Sequence, residues 1–187
     1  MKKKALSQIA FEFLSIVFAV LLALGLNSYK QNLDLRNEGK LLTKNLLTEC
    51  QANLDKLNIS IEENEGFKSF LDSLVLAEEV RGFHFSFSNE LLSSIAWNFT
   101  KESKAFQQMD SEFLIRAAEV YENQVYYMNN ANQMFEYIGS MILEVDNKTP
   151  RTLAKTGQYY LDNLIGASYE LRKDYESILK DFNNLSK

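Results

Sequence analysis

Hydrophobic and polar positions along the chain fall into successive patterns, each with its own period. Residues 9–29, IAFEFLSIVFAVLLALGLNSY, are apolar almost throughout. At about 1.5 Å of rise per residue, a helix over this stretch matches the roughly 30 Å of hydrocarbon in a bilayer. The uninterrupted part, Phe13 to Leu26, is shorter and also suits the core of a cleavable signal peptide, with Ala23-Leu24-Gly25 as a small-x-small cleavage site. The residues beyond it favour retention. Asn27 and Tyr29 lead without a break into Leu35, Leu42, Leu46, Cys50, Leu54, Leu57 and Ile61, spaced as on one face of a helix. The pattern predicts a spanning helix that continues into a stalk ending near Gly66, where a left-handed cap is easy.

Downstream, Phe67, Phe70, Leu71 and Leu74 predict a short helix over 66–80. From Gly82 to Ser88, aromatic and non-aromatic residues alternate, which predicts a short extended segment. Ser88 is placed to cap a second short helix ending around Phe99. Asp110 caps a long helix in which Leu114, Tyr121, Met128, Phe135 and Ile142 recur at seven-residue steps, as in a coiled-coil seam. Thr149 and Pro150 are a cap and a first helical residue for the last helix, whose inner face reads Tyr160, Leu164, Ala167, Leu171, Tyr175, Ile178 and Phe182. The expected fold class is all-α: an N-terminal transmembrane helix continuing into an antiparallel bundle with three long and two short helices. The expected domains are a cytoplasmic N-terminus (1–8), the span (9–29) and an extracytoplasmic helical bundle (30–187).

Composition narrows this picture. One Pro, seven Gly and 46% hydrophobic residues leave no room for a long linker. Net charge is −5, and setting aside Lys2, Lys3 and Lys4 leaves 17 basic against 25 acidic residues, a charge of −8. That balance disfavours nucleic acid as a partner. Lysine and arginine are nearly even around the span, with Lys2, Lys3 and Lys4 facing Lys30, Arg36 and Lys40. The compactness of the first cluster places the N-terminus in the cytoplasm. Cys50, the single cysteine, cannot form an intrachain disulfide and occupies an apolar position, where it packs as a small hydrophobe.

Signs of catalytic chemistry are few, and the expectation is a non-enzymatic protein with no cofactor and no metal. His84 is the only histidine, so no histidine-based metal site can form, and no glycine-flanked serine elbow offers it a nucleophile. Asn58, Asn98, Asn147 and Asn184 each open an Asn-x-Ser/Thr triplet, which an Asn-rich chain produces by chance. Trp97, Tyr121, Tyr126 and Tyr127 are candidates either for the core or for a ligand pocket between helices, with core packing preferred because they fall largely on a helical stripe.

The span itself carries more information. Ser15, Ala19, Ala23 and Asn27 recur every four residues, and Glu12 precedes them on the same face. Small side chains let two helix backbones approach closely inside a bilayer. A carboxylate in a span is costly unless it snorkels to the interface, is protonated or meets a partner. These five residues are therefore the expected helix-contact face, toward a second copy or another membrane protein.

Glu12, the apolar run through Leu22-Ala23-Leu24, Asn27 and Tyr29 resemble the opening of a bacterial family of small single-anchor envelope proteins known only as a domain of unknown function. That family's usual exit is Asn-Asn-Trp, for which this chain has Asn27, Ser28 and Tyr29. The likeness extends to Leu46, Leu47, Glu49, Asn53, Leu54, Trp97, Ala105, Phe106, Met109, Asp110 and Tyr121. The resemblance implies a single-pass protein of a Gram-negative inner membrane with a periplasmic helical domain, and it brings no activity. The expected function is a membrane-anchored interaction or scaffold protein. A ligand-sensing bundle that signals through a membrane partner is the alternative, and a proton-pathway subunit using Glu12 is a weaker one.

Overall fold

A computed structural model describes the backbone of residues 2–77, 86–144 and 149–182, with side chains for all of these except 2–10 and 142–144. Four α-helices, α1 (Lys2–Leu76), α2 (Ile95–Glu102), α3 (Ser111–Glu144) and α4 (Pro150–Phe182), account for most of it, with a 3-10 turn at Lys104–Gln108. No strand occurs among the described residues. The alternating stretch at 82–85, with His84, lies outside the described residues, as do Asn147, Asn184 and the side chain of Ile142.

The first helix is longer than its sequence predicts. It runs 75 residues and passes through Gly66 instead of ending there, absorbing the short helix expected at 66–80. Nothing lies within 4 Å of the position a Cβ would take at Gly66, so this glycine is a solvent-side residue and not a cap. Buried Asn64 and Leu71 on either side tie the helix to the rest of the chain, and their contacts outweigh the roughly 1 kcal/mol that a mid-helix glycine costs. Of the two expected short helices, the first is thus part of α1 and the second is α2, shifted toward the C-terminus, with a 3-10 turn after it.

Both α1 and α3 pack along α4. Partners on α4 descend as those on α1 ascend: Asn53 meets Tyr175, Glu65 meets Tyr169, Lys68 meets Asp162 and Asp72 meets Gln158. The same reversal relates α3 to α4, where Gln124 meets Tyr175 and Tyr137 reaches the Leu153 carbonyl. The core follows the predicted faces of α1 and α4. Leu46, Cys50, Leu57 and Ile61 meet Leu164, Leu171, Tyr175 and Ile178. Burying one such leucine stabilises by about 1.5–3 kcal/mol.

On α3 the inner seam is centred one residue from the expected one, of which Tyr121 is buried and Leu114 and Met128 are half-buried. Phe113, Val120, Tyr127 and Met134 are buried at seven-residue steps, with Ala117, Gln124 and Ala131 between them. Phe135 is 53% exposed. It sits on the flank, edge-on to Phe87 at 4.7 Å. Two alanines and a glutamine complete the true seam, so counting large apolar residues alone favours the neighbouring row.

The helix starts are as the sequence indicates. Asp110 Oδ1 accepts from the Phe113 N–H at 2.9 Å and opens α3. Thr149 accepts from the Thr152 N–H through its hydroxyl and from the Leu153 N–H through its carbonyl, ahead of Pro150. Each such cap is worth about 1 kcal/mol.

Candidate functional site

Every residue of the expected contact face, Glu12, Ser15, Ala19, Ala23 and Asn27, is exposed. Ser15 donates its hydroxyl to the Glu12 carbonyl oxygen at 2.9 Å, which folds that side chain onto its own helix and keeps the ridge low. The apolar residues around it are bare as well. One helix among the described residues is long and apolar enough to cross a membrane, and none of its most apolar stretch is buried.

The continuity of α1 relates this ridge to the domain. In the second half of the helix, Leu46, Cys50, Leu57 and Ile61 point inward, while Leu41, Thr48, Ala52, Asp55 and Ile59 point to solvent. Counting down the helix from Leu41 at 3.6 residues per turn arrives at Asn27, Ala23, Ala19 and Glu12 within a residue each time. The small-residue ridge therefore shares the solvent-facing side of α1.

Behind that side lies a polar structure that hydrophobic periodicity does not reveal. Glu49, Asn53, Lys56, Ser60 and Asn64 form a second stripe on α1, and together they hold residues 88–93 in an extended conformation. Asn64 accepts from the Ser88 N–H at 2.8 Å and donates to its carbonyl at 2.9 Å. Asn53 does the same for Ser93, both at 2.8 Å. Between them, Ser60 accepts from the Glu90 N–H at 3.1 Å and Lys56 donates to the Leu91 carbonyl at 3.0 Å. From α3, Gln124 donates to the Ser93 carbonyl and Tyr127 donates to the Asn89 side chain. The segment is thus a strap whose backbone is clipped at Ser88, Glu90, Leu91 and Ser93 by side chains from two helices. This overturns the helix expected from Ser88 to Phe99. The Ser88 and Ser93 amides are taken by asparagines, and the helix starts only at Ile95.

Glu49 stands at the lower end of the strap. Its carboxylate accepts from the Ser93 hydroxyl, from the Tyr121 hydroxyl at 2.6 Å and from the Ala96 N–H at 3.0 Å. Ser94, the residue before α2, makes no side-chain cap, so a carboxylate from α1 supplies the acceptor at that helix start. Burial pushes the Glu49 pKa up, but hydrogen bonds from Ser93, Tyr121 and the Ala96 and Trp97 backbone outweigh it, and the carboxyl titrates below its usual range. Burial also pushes the Tyr121 and Tyr175 phenols up, so both stay protonated donors. The Cys50 thiol beside them is pushed up to about 12, chiefly by burial.

On the far side of Tyr121 is an open groove of about 460 Å³ between α2 and α3. The Trp97 indole stacks on the Tyr121 ring at 5.3 Å between centroids, with planes 3° apart. The Lys101 ammonium sits 5.5 Å from the indole centroid. Among the expected aromatics, Tyr121 and Tyr127 are buried, Trp97 is half-buried at the groove, and Tyr126 is 61% exposed, outside both core and groove. No cluster of three or more His, Cys, Asp or Glu able to hold a metal occurs among the described residues.

Glu49, Asn53, Trp97 and Tyr121 meet at this node, although they are far apart in sequence. Comparisons with family models, with curated proteins and with solved structures each find no match to this chain.

Proposed function

We propose that this chain is a non-catalytic, membrane-anchored interaction protein that assembles through one side of its first helix. In this reading residues 9–29 span a bacterial inner membrane once, residues 1–8 are cytoplasmic, and residues 30–187 form an antiparallel helical bundle in the periplasm. The observation that carries it is the unbroken course of α1. The bare apolar stretch and the buried core stripe belong to one helix, and the small-residue ridge shares the side that the bundle leaves free. Two anchored copies stand in the same orientation, so identical ridges can meet while the bundles face outward. A second membrane protein carrying a small-residue helix would use the same side. Replacing Ala19 with Leu fills the ridge and should reduce the particle mass of the detergent-solubilised chain toward the monomer. An unchanged mass, with assembly intact, sinks the ridge as the contact.

The groove at Trp97 supports a second reading, that of a ligand-sensing bundle. Tyr121 forms one wall of the groove and gives its hydroxyl to Glu49 on α1, the helix that continues to the membrane. A ligand that moves Tyr121 would then bias α1 and, through it, a membrane partner.

A further inference from the structure

We infer that the groove between α2 and α3 binds a small zwitterion with an aliphatic body, of the size of a free amino acid or a dipeptide. The inference rests on the sensing reading and gives it a ligand class. The groove volume of about 460 Å³ falls within the roughly 300–1,000 Å³ typical of small-molecule sites. Its apolar lining comes from Leu92, Trp97, Ala118, Val125 and Met128, which suits a branched hydrocarbon.

Charge makes the class specific. Lys101 on α2 and Glu122 on α3 line the same groove. Among the described residues neither makes an ion pair, with the other or with any third group. The Lys101 ammonium rests instead near the indole of Trp97, an arrangement in which a cation keeps its charge available to an incoming anion. Two opposite charges that share a groove without neutralising each other leave separate places for a carboxylate and an ammonium on one molecule. A simple anion meets Glu122 and a simple cation meets Lys101, so each loses on one side what it gains on the other. Asn98 and Asn129, also in the lining, can donate to and accept from the remaining polar atoms of such a ligand.

Trp97 is the only tryptophan in the chain, so the intrinsic tryptophan fluorescence of the full-length protein in detergent reports this groove alone. The probes are L-leucine and L-leucyl-L-leucine, titrated to about 10 mM, which reveals any Kd of millimolar or tighter. We expect a saturable emission change with at least one of them. The matching amide and N-acetyl derivatives, which each lack one charge, should bind about tenfold or more weakly, the loss of one charge-assisted contact. Lys101→Met and Glu122→Gln should each weaken binding of the probe by a similar factor and leave the melting temperature unchanged, because both side chains are exposed. The inference is overturned if neither probe gives a saturable change, or if the charge-deleted analogues bind as well as the parent. The sensing reading fails separately: saturable binding with no effect on the mass of the solubilised assembly keeps the site and removes its coupling to the anchor.

Discussion

Replacing Asn53 with Ala tests whether the strap is a structural necessity of this fold. Asn53 is 1% exposed. Its amide group donates to the Ser93 carbonyl at 2.8 Å, to Tyr175 at 3.2 Å and to Gln124 at 3.4 Å, and its oxygen accepts from the Ser93 N–H at 2.8 Å. In the alanine variant the Ser93 carbonyl keeps Gln124, and Tyr175 keeps its 2.7 Å bond to Gln124. The Ser93 N–H keeps nothing. An orphaned buried donor costs about 1–3 kcal/mol, and the space vacated adds a cavity term of about 1 kcal/mol. A total near 3 kcal/mol, at about 2–4 °C per kcal/mol for a chain of this size, lowers Tm by about 6–12 °C. The assay is thermal unfolding of the full chain in detergent, followed by far-UV circular dichroism. Asn58→Ala, on the exposed side of the same helix, is the control and should stay within about 0.5 kcal/mol of wild type. An Asn53→Ala variant that melts with the control would refute the reasoning, since the strap would then be held by something other than its asparagine clips.

The same geometry sets three further outcomes. Glu49 titrates below its ordinary value of 4.5 in the folded chain, so its stabilising effect is complete above that pH and is lost as pH falls through the lower folded pKa; Glu49→Gln should flatten this part of an acid denaturation curve, and an unaltered curve counts against the node. Cys50, buried with its thiol pushed up to about 12, should resist maleimide in the folded chain and react on unfolding, so prompt labelling of native protein would contradict its placement. At Gly39 an added Cβ would lie 3.3 Å from Met109 Cγ and 3.7 Å from the Ala105 carbonyl; Gly39→Leu should push the 3-10 turn away and cost about 1–3 kcal/mol, read as a lower melting temperature.

What was legible in the sequence was the part governed by local pattern. The inward stripes of α1 and α4, the cap at Asp110 and the Thr149-Pro150 start all depend on residues within a turn or two of one another. The strap did not show, because its partners lie 24 to 44 residues away, and nothing in Ser88 or Ser93 says that an asparagine on another helix will occupy its amide. A trace was nevertheless present. Glu49, Asn53, Lys56, Ser60 and Asn64 recur at three and four residue steps beside the apolar stripe, a spacing that a merely solvated face does not need. The α3 seam was misplaced by one residue for a related reason. Ala117, Gln124 and Ala131 are buried for their size or their hydrogen bonds, which a count of large hydrophobic groups passes over. Likewise, the pairing of Trp97 with Tyr121 joins two helices and had no local signature.

The 75-residue course of α1 also makes this chain a lever. From Lys30 to Leu76 the helix extends about 70 Å at 1.5 Å per residue, so with residues 9–29 spanning a bilayer as proposed, a tilt of about 10° at the lipid boundary swings the far end sideways by about 12 Å. A change in bilayer thickness too slight to alter any contact within the domain would therefore relocate its outermost surface by roughly the width of a helix.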